Sequence, residues 1–340
     1  MKYIISLVVA GVLLFFSFRS VNWKDFGECL RACRWEFVAA TALSVVLVHL
    51  VRAARAMMLL RKVDPAIPFY ASFHSVNVGM LLNIVVSRVG ELLRCTYVTR
   101  RSARDANGRR LATLEKVFGT VLLERSWDVL FGTLTTLVAI IAMWSRFGDF
   151  FSEHILRPLR SSLSSWWVAA LAIVALTVVI ALVRSYREKN CILQKADTIL
   201  TGIGEGLKTC LYMKRGWMFI VYTVLIWGLY WAESYLIIEA MKGIRPEALG
   251  ADMQEPLRAL QALGPLDALF LMLCGSASAL VPVPGGFGAY HGIVAGALLS
   301  VFGIPFGLGI IYATLTHETT VIAQALCGLG SLAHDTLKKE

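Results

Sequence analysis

The chain has 340 residues, 57% of them apolar and only 16% charged, and a formal net charge of +10. A soluble domain carries roughly 25% charge, so this composition excludes one and indicates an all-α polytopic membrane protein. The seven cysteines form no CxxC pair; Cys29 and Cys33 lie one helical turn apart, and most of the set reads as small packing residues.

Residues 3–18 (YIISLVVAGVLLFFSF) follow Lys2, and Phe18, Arg19, Val21 and Trp23 stand where a small-residue cleavage site would be needed. They read as a retained first span. Residues 24–37 are amphipathic, with Phe26, Leu30, Cys33 and Phe37 on one face and Lys24, Glu28 and Arg31 opposite. A helix in the membrane interface has this pattern, and so does a helix packed on the protein's own surface; the interface is favoured. A span over 36–60 comes next, then an apolar but interrupted region over 69–93 and a span over 117–143. An external linker, 144–165, leads to a span over 166–184 and a second amphipathic segment over 191–212, with Ile192, Ala196, Ile199, Ile203 and Leu207 on one face. Spans over 216–240 and 305–330 enclose a nearly balanced loop, 241–263, and a second interrupted region, 264–304; a tail follows at 335–340.

Loop charge orients these spans. Residues 94–110 hold six arginines and one aspartate, and 185–215 hold six Lys/Arg against Glu188, Asp197 and Glu205. Both loops and both termini are expected in the cytoplasm, and the positive charge is assigned to topology and anionic lipid, not to nucleic acid. The region 69–93 must then enter from and return to the cytoplasm, and 264–304 must do so from outside. The order span, amphipathic segment, span, interrupted hairpin, span occurs in 1–143 and again in 166–334. One membrane domain built of two inverted-topology repeats, with broken helices at their interface, is the expected helical bundle.

The second interruption, LVPVPGGFGAYHG over 280–292, holds two prolines and four glycines inside an apolar stretch. Pro282 and Pro284 cannot continue a hydrogen-bonded helix, and Gly285, Gly286 and Gly288 free the backbone to turn. A broken helix at membrane depth needs protein or a water-filled cavity around it, whereas a loop between two spans does not; both readings stand on this motif alone.

Ionisable residues within spans are costly and usually face partners or water. In NIVVSRVGELLR, Asn83, Arg88, Glu91 and Arg94 surround Gly90, which would allow a sharp turn. Glu91 can pair either arginine, and the second suits a phosphate or carboxylate; an ion network that pins the hairpin is the other reading. In LLERSWDVL, Glu124 and Asp128 share a face at i,i+4 and need a cation from elsewhere, with Arg52, Arg55 and Arg88 as candidates. Arg125 is expected to point away from them, and the cluster reads as structural. Glu233, His291 and Glu318, the last beside His317, are candidates for proton coupling or for hydrogen-bonded packing. No GxxxxGK[ST], HExxH, GxSxG or paired-cysteine zinc pattern occurs, so neither metal nor cofactor is expected.

At these residues the chain resembles the transmembrane region of the lysylphosphatidylglycerol synthase family, a group of flippase-like membrane proteins. Three signatures match in order: N-x4-R-x-G-E-x2-R from Asn83 to Arg94, E-R-x2-D from Glu124 to Asp128, and P-x-P-G-G-x-G from Pro282 to Gly288. The chain departs where the family commonly has proline (Ser87 here) and where it commonly has an acidic residue shortly after PGGxG (His291 here). The resemblance implies the lipid-translocating part without the aminoacyl-transfer domain and its lysyl-transferase activity. On this reading the protein sits in a bacterial inner membrane and is not an enzyme. It moves an anionic or zwitterionic (glyco)phospholipid or lipid-linked precursor between leaflets, alongside lipid-modifying enzymes of the envelope. Arg88 and Arg94 would neutralise phosphate, helped by backbone N–H groups near Gly285, Gly286 and Gly288. Asn83, Glu91, Glu124, Arg125 and Asp128 would hold them. The alternatives are a membrane-embedded enzyme acting on a lipid-linked sugar or phosphate, and a non-transporting regulator of envelope synthesis.

Overall fold

The computed structural model describes residues 2–86, 89–153, 157 and 215–337. Among them the regular elements are helical. The first half runs α1 (Lys2–Phe18), α2 (Trp23–Ala32), α3 (Trp35–Val63), α4 (Phe69–Val85), α5 (Gly90–Arg100), α6 (Leu114–Ala142) and α7 (Trp144–Phe151). The second half runs α8 (Gly216–Met241), α9 (Ala251–Gln261), α10 (Pro265–Ser276), α11 (Ala289–Phe302) and α12 (Phe306–Leu337). Met1–Val121 and Phe219–Glu340 form one compact unit, and Leu122–Met218 another. Trp35–Val63, Leu114–Ala142, Gly216–Met241 and Pro284–Phe302 are each long and apolar enough to cross a membrane. The chain is an all-α polytopic membrane protein. The expected span 166–184 and amphipathic segment 191–212 lie outside the described residues, as does Arg88.

Local sequence accounts for most boundaries. Asn22 caps α2 by accepting from the Lys24 amide at 3.0 Å. Pro265 opens α10, and the Asp267 carboxylate reaches back to the Gly264 N–H at 2.8 Å. Gly303, at φ 66°, closes α11 in the left-handed conformation, with Pro305 following.

Three expectations change. The buried stripe of α2 is Asp25 and Cys29, continued by Cys33, whereas Phe26 and Leu30 are half-exposed. It lies one residue away from the face drawn through the phenylalanine, because small and short side chains fit closest to the neighbouring helices. The helix also ends at Ala32, where the Arg34 amide donates to the Ala240 carbonyl at 2.8 Å and ties the start of α3 to the end of α8. Finally, the loop 241–263 contains α9, whose Asp252, Glu255 and Arg258 hide the buried Leu257 and Leu260.

In the larger unit, α12 packs against α3, α4 and α11, and α10 against α11. Small residues let backbones close: a β-carbon on Gly328 of α12 would fall 2.5 Å from Leu81 Cβ of α4, and one on Gly309 would fall 2.8 Å from Ala295 Cα of α11. Tyr312 of α12 is fully buried, and its hydroxyl meets the Ser234 hydroxyl and donates to the Ser234 carbonyl, each at 2.8 Å.

Between α3 and α4, Asp64 closes the base of the first hairpin. Its carboxylate accepts from the Ser102 hydroxyl at 2.7 Å and from the amides of Ala103 at 2.8 Å and Ala66 at 2.9 Å. Burial alone would raise this carboxyl; the three donors outweigh it and hold the group below its ordinary value.

Candidate functional site: two broken hairpins that meet

The first interruption is organised by Asn83. Its amide oxygen accepts the Gly90 N–H at 2.9 Å, and its amide nitrogen donates to Glu91 Oε2 at 3.3 Å, so one side chain at the end of α4 fastens the first turn of α5. Gly90 serves close approach, not a left-handed turn. A β-carbon there would lie 1.9 Å from the Gly79 carbonyl oxygen and 2.7 Å from Asn83 Oδ1. Arg94, one turn along α5, is buried beside the same crossing, where a β-carbon on Gly79 would sit 3.4 Å from Arg94 Cβ.

The second interruption has the geometry that its glycines suggest. Gly285, Gly286 and Gly288 have φ of 58°, 78° and 78°, a region that side chains disfavour. Two of the amides are used inside the turn, Gly286 N–H towards the Val283 carbonyl at 3.4 Å and Phe287 N–H towards that of Pro284 at 3.2 Å. Gly288 caps α11 and lies so close to α1 that a β-carbon would fall 2.6 Å from Leu13 Cβ.

These two breaks come together. The Pro284–Gly286 turn packs against α4, and a β-carbon on Gly285 would lie 3.3 Å from the Ile84 carbonyl oxygen. Behind the turn stands a polar cluster. His317 Nε2 is 2.8 Å from the Gly285 carbonyl oxygen, and His317 Nδ1 is 3.2 Å from Glu318 Oε1. His291 Nε2 approaches that same oxygen at 3.3 Å. Tyr290 stacks on His317 with ring centroids 5.0 Å apart, and Phe287 meets it edge-on at 5.2 Å. His291 and Glu318, singled out in the sequence, are therefore neighbours. Glu233 is buried on α8 beside Arg52 and Thr320, within electrostatic reach of Tyr290.

On α6, Glu124 is buried, and Arg125 pairs with Asp128 at 3.4 Å. The expectation that Arg125 points away from Asp128 is thus corrected: residues three apart on a helix are near neighbours, and a long guanidinium stem reaches back. Arg52 and Arg55 of α3 reach α8, where Arg52 Nε donates to the Tyr230 hydroxyl at 3.0 Å and Arg55 to that of Thr223 at 3.1 Å.

One buried chain escaped the sequence reading. His49 Nδ1 meets Asn77 Oδ1 at 2.8 Å, and Asn77 Nδ2 donates to Ser331 Oγ at 2.8 Å, joining α3, α4 and α12. An asparagine inside the apolar run SVNVG was the available signal. The larger unit also holds two concavities. One, of about 760 Å³, is lined by Tyr70, Tyr97, Arg100, Arg101, Leu332 and Asp335, with Arg101 paired to Asp335 at 2.7 Å. The other, about 580 Å³, is an apolar groove between α3 and α12 lined by residues such as Trp35, Leu43, Val46, Ile322 and Leu326.

The family model for the lysylphosphatidylglycerol synthase TM region matches residues 3–328, nearly the whole length, and takes in both broken hairpins. The chain belongs to this family. Membership makes it an integral membrane protein related to lipid handling. Comparison with curated proteins and with solved structures returns no match.

Proposed function

We propose that this member of the lysylphosphatidylglycerol synthase TM region family moves a phosphate-bearing, anionic or zwitterionic lipid between leaflets of a bacterial inner membrane, and that it catalyses no covalent step itself. The observation that carries this reading is the meeting of two broken hairpins inside one helical unit, the turn at Pro284–Gly286 lying against the end of α4. Irregular backbone at membrane depth is expensive, and where it is kept it commonly lines the path of a transported group. In the proposed cycle Arg88 and Arg94 neutralise the headgroup phosphate. The open φ values of Gly285, Gly286 and Gly288 let bare backbone approach it. The apolar groove between α3 and α12 has a volume in the range of small-molecule sites and suits an acyl chain. Both termini would be cytoplasmic, and the two hairpins would enter from opposite faces as parts of inverted repeats.

Leaflet exchange of a fluorescent phospholipid in proteoliposomes is the direct test. Wild-type protein should accelerate exchange, and Arg88→Ala should abolish it while leaving thermal stability unchanged. Wild-type exchange no faster than in empty vesicles rejects transport, and full exchange by Arg88→Ala removes that arginine from the site. A new lipid-derived product in the same vesicles would favour a membrane-embedded enzyme. Cysteine probes at the exposed positions Asn107 and Gly250, on a background stripped of native cysteines, should label from opposite sides. Labelling from one side breaks the inverted arrangement.

A further inference from the structure

The cluster behind the second turn has more order than a lock on a loop needs. His291 is fully buried; among the described residues its Nδ1 has no hydrogen-bond partner, and the polar atom facing its Nε2 is Glu318 Oε1. Its Nε2 stands 3.3 Å from Glu318 Oε1, yet no hydrogen bond is aligned between them. Burying an imidazole with so poorly aligned a partner is costly, and a cation at Nε2 would use its lone pair.

His317 shows what that use is. Its Nε2 lies 2.8 Å from the Gly285 carbonyl oxygen, an acceptor only, so a proton belongs on Nε2 and, in the neutral ring, the Nδ1 lone pair faces outward. What it faces is Glu318 Oε1 at 3.2 Å, a second acceptor. Two lone pairs at that distance repel unless a cation or a proton lies between them. Metal-binding histidines commonly donate their other N–H to a backbone carbonyl, which fixes ring orientation and tautomer.

The two measured spacings accommodate a small tetrahedral cation. Bonds of about 2.0–2.1 Å from zinc to nitrogen or oxygen place tetrahedral ligand atoms about 3.3 Å apart. Two of the three edges here measure 3.2 and 3.3 Å, and all three ligand atoms lie within 4.8 Å of one another. A missing hydrogen bond between His291 and Glu318 also fits, because lone pairs that converge on a third point do not lie along the line joining their atoms.

We propose that His291 Nε2, His317 Nδ1 and Glu318 Oε1 bind a divalent first-row transition metal, zinc best, with one coordination position open. Two imidazoles and one carboxylate suit zinc and cobalt and fit magnesium or calcium poorly. The ion enters past Glu318, the one ligand with a third of its side chain exposed. It joins α11 to α12, and through His317 it holds the Gly285 carbonyl and hence the turn. This expectation departs from the sequence, where the first ligand lies 26 residues before the adjacent other two and no metal motif is visible. It is independent of what the protein moves.

Metal is to be stripped from the detergent-solubilised protein with chelator and returned as Co²⁺, whose visible absorption reports coordination number. Wild type should take up one equivalent with the intense bands of a four-coordinate site, and Zn²⁺ should displace it. Glu318→Gln keeps the shape and removes the anionic ligand; it should fold normally and bind at least roughly tenfold more weakly. His291→Ala should lose the four-coordinate spectrum. His74→Ala alters the separate His74–His334 stack, with centroids 4.8 Å apart, and should bind as wild type does. Absence of stoichiometric Co²⁺ in wild type would overturn the site and leave a shared proton between the histidines and Glu318. Unchanged affinity in folded Glu318→Gln, or loss in His74→Ala alone, would overturn it as well. If His291→Ala fails to fold, Glu318→Gln decides.

Discussion

The two broken hairpins solve one problem by different means. Where α4 gives way to α5, the join is made by a side chain: Asn83 takes the Gly90 N–H, touches Glu91, and lets two backbones close over Gly79 and Gly90. Where α10 gives way to α11, the join is made by backbone conformation, three glycines at positive φ with their turn held by His317. The first fastening depends on absent β-carbons; the second depends on permitted angles at Gly286 and on both at Gly288. A methyl group therefore does different damage at each, and substitutions can separate steric from conformational cost.

The largest effect is expected at Gly90. Its β-carbon would meet the Gly79 carbonyl oxygen at 1.9 Å, and the atom in the way is backbone, which cannot step aside without moving a helix. Gly90→Ala should cost about 3 kcal/mol or more, beyond ordinary overpacking, and Gly90→Val should prevent folding. Monodispersity in size-exclusion chromatography and the thermal midpoint read this directly. A stable Gly90→Ala would mean that the helices are not held at this distance.

In the second hairpin the order among glycines is the informative result. Gly288→Ala combines φ 78° with a contact 2.6 Å from Leu13 Cβ and should be the worst of the three. At Gly286 a β-carbon has room, its nearest neighbour being His317 Nε2 at 3.5 Å, so Gly286→Ala pays mainly for the left-handed backbone, about 1–2 kcal/mol. Gly286→Val adds a β-branch and should be worse. A stable Gly286→Ala that no longer moves lipid would favour a site at the turn. Equal stability of Gly286→Val and wild type would reject the positive φ.

Much of the fold was legible because apolar runs of membrane length have few alternatives. α3, α6 and α8 lie within a few residues of the expected spans, and the PGG break falls where its prolines and glycines require. Helix α12 covers the expected 305–330 and runs on to Leu337, but its polar residues keep it out of the set apolar enough to cross, which Pro284–Phe302 joins instead. What the sequence hid was pairing across distance. Asn77 touches residues 28 and 254 positions away, and His317 finds its carbonyl 32 residues back; no local pattern encodes either. Helix α9 is hidden for another reason, since Pro256 and alternating charge read as loop while only Leu257 and Leu260 are buried. Gly90 reads as a turn residue but serves close approach, because glycine in a sequence does not reveal which of its two properties is used.

Asn83→Ala probes the first hairpin's side-chain fastening. It leaves the Gly90 N–H and Glu91 without this partner and should cost about 2 kcal/mol. Asn83→Asp keeps an acceptor for the amide but sets a carboxylate against Glu91, so it should recover little. A thermal midpoint within a degree of wild type for Asn83→Ala would show that Gly79 and Gly90 hold the crossing unaided.

The smallest effect is expected at the hairpin's base, where pH gives a sharper reading than a single midpoint. Asp64 accepts three hydrogen bonds, two from the segment after α5 and one from the loop before α4. In Asp64→Asn the amide oxygen still accepts from Ser102 and Ala103, while the NH₂ end turns a donor towards the Ala66 N–H, a loss of about 1 kcal/mol. Because the native carboxyl is held below its ordinary value of 3.8, its contribution is fully present above that value and is lost as pH falls through the lower native one. The thermal midpoints of wild type and Asp64→Asn should differ by a constant amount from neutral pH down to about 4 and converge below it, as protonation turns the aspartate into a near-copy of the amide. Convergence on the alkaline side, or a gap that persists in acid, would mean that the donors around Asp64 do not bind its charged form. The base of this hairpin would then rest on α3 and α5 packing around Ala56, Leu60 and Val98 alone.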